Sequence, residues 1–164
     1  MEPPTLYLIC GMVGAGKTTL AKAMEARTGA VRLCPDEWLV DLVGDKRDRE
    51  NLDRFRTPVE TIQWSLARRL LSHGLSVVLE NGFWQRDERV RIAAEARALP
   101  CRVELHFLDV PRPLLEARIA DRNVSGGQAD IPVAVAELDE WLTWFEPPDA
   151  EESVHYDRFE VHTP

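Results

Sequence analysis

Residues 8–24, LICGMVGAGKTTLAKAM, set a glycine-dense turn between an apolar run and a helix-favouring stretch. Within it Gly11, Gly16, Lys17 and Thr18 fit the spacing G-x-x-x-x-G-K-[ST]. The glycines let the backbone curl until successive N–H groups point inward, where they cradle phosphate oxygens. Lys17 brings a positive charge to the outer phosphates, and the Thr18 hydroxyl can ligate Mg2+. A chance match in a chain of 164 residues is an event of about one in two hundred at ordinary glycine usage. Its placement after an apolar run and at the start of a helix is what phosphate binding at a helix N-terminus requires. A nucleoside triphosphate is therefore the expected ligand, held by the run Gly11, Met12, Val13, Gly14, Ala15, Gly16, Lys17, Thr18 and Thr19.

Strand-like and helix-like patterns alternate along the rest of the chain, the signature of an α/β fold with a mainly parallel sheet. Strands are expected over residues 6–10, 31–34, 75–79 and 102–108, with a fifth within 153–161. Helices are expected over 18–27, 36–43, 58–73, 86–99 and 111–122, and a last one carries Val135, Leu138, Leu142 and Phe145 on one face. The mixed charges of residues 45–57 read as a solvated loop or helix face, and SGGQADIP reads as a flexible loop. No repeat or linker divides the chain, and its length suits one core, so a single domain over 1–164 is expected.

No apolar run is long enough to cross a bilayer and the first residues lack a basic leader, so no membrane contact and a cytoplasmic location are expected. Cys10, Cys34 and Cys101 cannot all pair and lack metal-ligand spacing, which makes them buried thiols. His73, His106, His155 and His162 are scattered, so no metal cluster is expected among them. The net charge of −8 argues against nucleic acid. From Asp130 to Pro164, however, ten acidic residues stand against Arg158 alone, which leaves the preceding body near neutral. Global charge therefore decides little.

With CPDEW, VVLENGFW, RPLLEARIADRN and WFEPPDAEE following the glycine loop in that order, the chain resembles the small P-loop kinases of the zeta-toxin, chloramphenicol-phosphotransferase and polynucleotide-kinase group over nearly its whole length. The resemblance implies a three-layer, nucleoside-kinase-like P-loop NTPase fold, with a five-stranded, mostly parallel sheet flanked by helices and a small lid. It also implies Mg2+-ATP as cofactor. Asp36, just past the second strand, would take or position the proton of an acceptor hydroxyl; capping the helix that follows is its alternative role, and Glu37 could supply the acid instead. Glu80 and Asn81 end the third strand at the crevice, where such kinases usually carry Asp. Glu80, one methylene longer, would help Thr18 and Asp36 hold the metal or contact substrate.

Arg118 and Arg122 lie four residues apart on one helix face, where similar kinases contact the nucleotide and offset charge on the migrating group. Ion pairs to Glu116 or Asp121 are the alternative, and Arg112 is a further candidate. Residues 123–130 would form the lid, hinged at Gly126-Gly127 and excluding water on closure.

Polynucleotide kinases of this kind carry an arginine three residues after the catalytic acid, where this chain has Leu39. Trp38, Phe83 and Trp84 would instead give a small organic acceptor an apolar wall, unless these rings belong to the core. Trp64, Trp141 and Trp144 read as packing residues. Arg86 and Arg89, or the charged stretch 45–57, could grip an anionic acceptor. The expected activity is γ-phosphate transfer from ATP to a hydroxyl of a small molecule, with nucleic acid a less favoured acceptor and no obligate protein partner evident. A 5′-hydroxyl polynucleotide or nucleotide kinase and an ATP-binding switch without acceptor turnover are the alternatives.

Overall fold

The computed structural model describes residues 2–164, in which one or two helices follow each of the first four strands. The strands are β1 (Thr5–Cys10), β2 (Val31–Leu33), β3 (Val77–Gly82), β4 (Arg102–Leu108) and β5 (Arg158–His162). The helices are α1 (Lys17–Thr28), α2 (Pro35–Val43), α3 (Arg49–Ser72), α4 (Arg86–Ala96), α5 (Arg112–Ser125) and α6 (Val135–Trp144). The sheet runs β2-β3-β1-β4-β5, and all its pairings are parallel. Parallel neighbours cannot be joined by tight hairpins, so the connections carry helices over both faces.

The central strands consequently read as apolar runs. Leu6, Leu8 and Cys10 point to one face and pack with Trp64, Leu71, Ile92 and Phe107. Ile9 and Val78 point to the other and meet Ala21 and Met24 of α1. From β1 the chain passes over β3 to β2, then later returns to β4 on the far side. The carboxyl ends of β1 and β3 therefore border the crevice where such sheets bind ligands.

Several boundaries differ from the sequence expectation. Helix α3 starts at Arg49 and runs through Pro58, because the Asp48 side chain caps it, accepting from Asn51 N at 3.2 Å and Asn51 Nδ2 at 2.8 Å. The charged stretch is thus largely the first turns of a long helix. Helix α5 continues through residues 123–125, so the connecting loop starts at Gly126, whose N–H donates to Arg122 O at 2.7 Å. Strand β3 starts later than expected and extends to Gly82, and a 3-10 turn at Glu152–His155 precedes β5.

The three cysteines are free, with Cys10 and Cys34 buried and Cys101 half-buried. The histidines are not all scattered in space: the β4–β5 pairing brings His106 Nδ1 to 3.0 Å from His162 Nε2. Among the described residues no helix is long and apolar enough to cross a membrane.

Candidate active site

The turn after β1 opens with Gly11, whose N–H donates to Gly82 O at 3.0 Å and ties the loop to the end of β3. Gly14 and Gly16 have φ of 81° and 98°, in the left-handed region that a side chain disfavours. Crowding adds to this at Gly14, where a Cβ would stand 3.1 Å from Ile119 Cγ1 and 3.2 Å from Leu115 O. Helix α5 packs on the loop through those same two residues, with Met12 and Ala15 completing the buried contact. The loop then runs into α1, whose first N–H groups and positive dipole end favour anions.

Lys17 folds back along the loop, its Nζ donating to Met12 O at 2.8 Å. Burial pushes its amine down to about 8, against the pull of Asp36 and Glu80 and with Arg122 adding to the push. A phosphate beside this amine would supply the missing counter-charge and restore its proton affinity.

The Thr18 hydroxyl donates to Glu80 Oε1 at 2.8 Å, while Arg32 Nη1 stands 3.2 Å from Glu80 Oε2. The extra methylene of Glu80 therefore spans from β3 to the first turn of α1. Arg32 also pairs with Glu37 at 2.6 Å, which turns Glu37 away from the role of acid. Nothing local in the sequence marks Arg32, a mid-strand arginine, as the partner of an acid on the neighbouring strand.

Asp36 lies in the first turn of α2, but Cys34 is the N-cap and no side chain caps the helix. The capping alternative therefore fails. Asp36 faces the cavity and accepts from Arg56 Nη2 at 3.0 Å.

Arg118 Nη1 donates to Ala15 O at 3.2 Å and Arg122 Nη2 to Ile131 O at 3.2 Å, so neither bridges to Glu116 or Asp121. Arg112 takes Glu116 and Asp139 on the surface instead. The loop 126–134 is anchored at its far end, where Asn123 Nδ2 donates to Val133 O at 2.7 Å and Asn123 Oδ1 accepts from Val133 N at 3.1 Å. Nearer its start, Lys46 Nζ donates to Gly127 O at 3.1 Å.

Gly14, Gly16, Lys17, Thr18, Asp36, Glu80, Arg118 and Arg122 line a cavity of about 840 Å³. Two buried atoms of its wall, Asn81 Oδ1 and Arg122 Nε, have no protein partner, which suits a ligand rich in donors and acceptors. The loop amides, Lys17 and the arginines fit a polyphosphate. Thr18, Glu80 and Asp36 offer the hard oxygen ligands that Mg2+ prefers.

The opposite wall differs from the sequence reading. Trp84 lines the cavity, but Trp38 does not: two residues beyond Asp36 is a rotation of about 200° around the helix, which turns its ring into the core. Phe83 borders the cavity, yet its ring is buried in the core and its backbone is left-handed, with φ of 49°. Its carbonyl is held there by Arg89 Nη1 at 2.8 Å and Cys10 Sγ at 3.3 Å.

Arg86 is turned away, toward Asp149 at 3.6 Å. Arg89 is buried in a two-bonded pair with Glu152, both contacts at 2.7 Å, and cannot reach an acceptor. In their place stand Trp141 and Trp144, read from the sequence as packing residues, together with Arg49, Asp53, Arg56, Glu60 and Glu88. Trp84 packs on Trp141 at 5.5 Å between ring centroids, and Arg49 lies over Trp141 at 5.7 Å. Trp84 Nε1 donates to Gly11 O at 3.2 Å, which links this wall to the phosphate loop. Burial pushes the Glu60 carboxyl up to about 7, with Arg56 opposing and Glu88 and Asp36 reinforcing the shift.

Residues 6–148 match the AAA_33 family of AAA domains, and the chain belongs to that family. No curated protein matches it. Among solved structures, a proposed kinase from Chloroflexus aurantiacus superposes with a TM-score of 0.77 at 20% identity, covering 99% of this chain and 86% of that one. Kti12 from Chaetomium thermophilum, in complex with ADP-AlF3, has a TM-score of 0.71 at 13% identity, covering 96% and 88%. A gluconokinase from Sinorhizobium meliloti has a TM-score of 0.63 at 16% identity, covering 99% and 84%. The fold is thus that of the P-loop kinases, as the sequence resemblance implied.

Proposed function

We propose that this protein is an ATP-dependent kinase that phosphorylates a hydroxyl of a small organic acceptor. The observation that carries this reading is Asp36, which faces the cavity with its carboxylate held by Arg56 instead of capping its helix. An acid so placed can take the proton of an acceptor hydroxyl, a step that a nucleotide switch does not require. The gluconokinase and the proposed kinase among proteins of the same fold favour phosphotransfer as the use of such a cavity.

In this mechanism the loop amides and Lys17 hold the β- and γ-phosphates. Thr18, Glu80 and Asp36 would hold Mg2+, which supplies positive charge to the phosphate oxygens when bound. Asp36 accepts the proton of the acceptor hydroxyl as its oxygen bonds to the γ-phosphorus and the bond to the ADP oxygen breaks. Arg118 and Arg122 offset the charge spread over the migrating group. The loop 126–134 closes over the site and excludes water.

The opposite wall favours a small acceptor over a nucleic-acid end. Its two arginines are already paired, Arg49 with Glu137 and Arg56 with Asp36, and stand among Asp53, Glu60 and Glu88, which leaves no excess of positive charge for a phosphate backbone, whereas Trp84, Trp141 and Trp144 offer apolar faces. Leu39, at the position of the polynucleotide kinases' arginine, is fully buried and reads nothing.

The test is γ-phosphate transfer from labelled ATP with Mg2+ to sugars, polyols, nucleosides, hydroxylated antibiotics and a 5′-hydroxyl oligonucleotide. Transfer to one small compound, lost in Asp36→Ala, is expected. Transfer to the oligonucleotide alone, or ATP binding with no transfer to any compound, would remove the small-acceptor reading.

A further inference from the structure

At the edge of the sheet remote in sequence from the phosphate loop, β4 and β5 pair with Glu104 opposite Arg158, His106 opposite Glu160 and Leu108 opposite His162. Opposite residues in a parallel pair share a face, and alternate residues along a strand do too. Glu104, His106, Glu160 and His162 therefore project on the same side of the sheet. Donor atoms of His106, Glu160 and His162 all lie within 4.8 Å of one another.

The hydrogen bonding fixes which atoms face inward. His106 Nε2 is 3.2 Å from Glu104 Oε2, and a carboxylate only accepts, so the His106 proton sits on Nε2. The Nδ1 lone pair is left to accept from His162 Nε2–H at 3.0 Å, a proton that passes to His162 Nδ1 when an ion takes both nitrogens. Two imidazole nitrogens on one tetrahedral Zn2+, at about 2.0–2.1 Å each, stand about 3.3 Å apart. The observed spacing needs only a small adjustment to reach this. Arg158 occupies Glu160 Oε2 at 2.6 Å, while Glu160 Oε1 lies 3.9 Å from His162 Nε2.

A histidine whose second nitrogen donates to a carboxylate is the outer-sphere arrangement that orients metal-bound imidazoles and raises their basicity. Here Glu104 and His106 are both buried and supply it. We propose that His106, His162 and Glu160 form a site for a borderline divalent transition ion, Zn2+ in particular, with Glu104 as the orienting partner and solvent as the fourth ligand.

Two imidazoles and one carboxylate suit Zn2+ and its neighbours and do not suit Mg2+, which prefers oxygen ligands throughout. The site is thus chemically separate from the Thr18, Glu80 and Asp36 oxygens. Its consequence is structural: the ion would bridge β4 to the last strand and stabilise the folded chain by mass action.

The test is Zn2+ titration of the full chain in excess Mg2+ against a chromophoric chelator, with Co2+ as spectroscopic probe. One equivalent is expected to bind, and His162→Ala or Glu104→Gln should weaken it by about tenfold to a hundredfold. Zn2+ should raise the thermal transition of the wild type and not of His162→Ala. Imidazole 15N signals of the wild-type protein give a reading independent of any variant, since His106 and His162 must shift with Zn2+ while His73 and His155 must not. Unchanged affinity in a folded His162→Ala, a Co2+ spectrum showing sulfur ligation, or unresponsive His106 and His162 signals would each overturn the proposal.

Discussion

On the phosphate side of the cavity most of the binding groups come from one run, Gly11 to Thr19, joined by Arg118 and Arg122 of α5, whereas the opposite wall draws Arg49, Asp53, Arg56 and Glu60 from α3, Glu88 from α4 and Trp141 and Trp144 from α6. The first wall is set by local backbone geometry. Left-handed glycines, a helix N-terminus and a lysine folded onto its own loop hold it wherever the fold places that loop. The second exists only because separate helices converge, with Trp84 bonded to Gly11 O as the hinge between the two. A binding surface made locally is suited to a shared ligand such as ATP. One assembled from distant segments can change with few substitutions, which suits the acceptor choice proposed for it.

Asp36 stands where the walls meet, and its substitution gives the largest expected effect. Asp36→Asn keeps the shape and removes the proposed proton acceptor, so kcat should fall by about 10²–10⁴-fold, with a much smaller loss of Mg2+-ATP affinity from the lost metal ligand. Single-turnover transfer alongside fluorescent-nucleotide titration would measure both. Equal loss in Glu37→Gln would erase the distinction between the two acids, since Glu37 is held by Arg32.

Substitution on the phosphate wall should act on both binding and rate. Lys17→Met is expected to lower kcat by about 10²–10³-fold and to weaken ATP as well. The wild-type lysine also predicts a pH signature. Its folded-state value is lowered to about 8 by burial, so in the free protein its charge is lost as pH rises through that value. ATP binding above it should take up a proton, and affinity should fall with rising pH. Calorimetry in two buffers of different ionisation enthalpy would detect the uptake, and Lys17→Arg should abolish it.

How far each wall is legible in the sequence follows from the same contrast. The phosphate loop is read directly because its spacing, its glycines and its position between strand and helix are all local. Arg49, Asp53 and Arg56 are legible only as part of the charged stretch 45–57, because Pro58 looks like a helix start when the helix begins at Arg49 under an Asp48 cap and simply passes through it; Glu60 escapes because nothing in the sequence shows which face of that helix meets the cavity. Trp141 and Trp144 escape for another reason: a periodic apolar face marks a side that is covered, and cannot tell a core from a cavity wall. Trp38 shows the converse error, since nearness to Asp36 in sequence is not nearness on a helix. Arg32 and the His106–His162 pair depend on strand register, which a single sequence leaves open.

Glu60 sharpens the comparison from the acceptor side. Burial raises its folded-state value from 4.5 to about 7. The native state therefore binds more protons than the unfolded chain between these values, and stability falls as pH rises through that window. The shift corresponds to a cost on the order of 3 kcal/mol at pH 8. Glu60→Gln should remove most of this fall, leaving stability near pH 4 unchanged and raising it at pH 8. Urea denaturation at the two pH values would test it. A wild-type curve that is flat across the window would mean that Arg56, 3.9 Å away, already neutralises the carboxylate.

The smallest effect is expected at the rim. Trp144 is half exposed, with 51% of its surface accessible, and among the described residues no other ring stacks on it, unlike Trp141 on Trp84. Trp144→Ala should therefore leave the fold, ATP affinity and kcat nearly unchanged while raising the acceptor KM by about tenfold, the value of one aromatic face against an apolar patch of substrate. Trp141→Ala should do more, because Arg49 and Trp84 both rest on that ring and would shift with it. If Trp144→Ala instead weakened ATP and left the acceptor KM alone, the assembled wall would be part of the nucleotide site, and the division of labour between the two walls would fail.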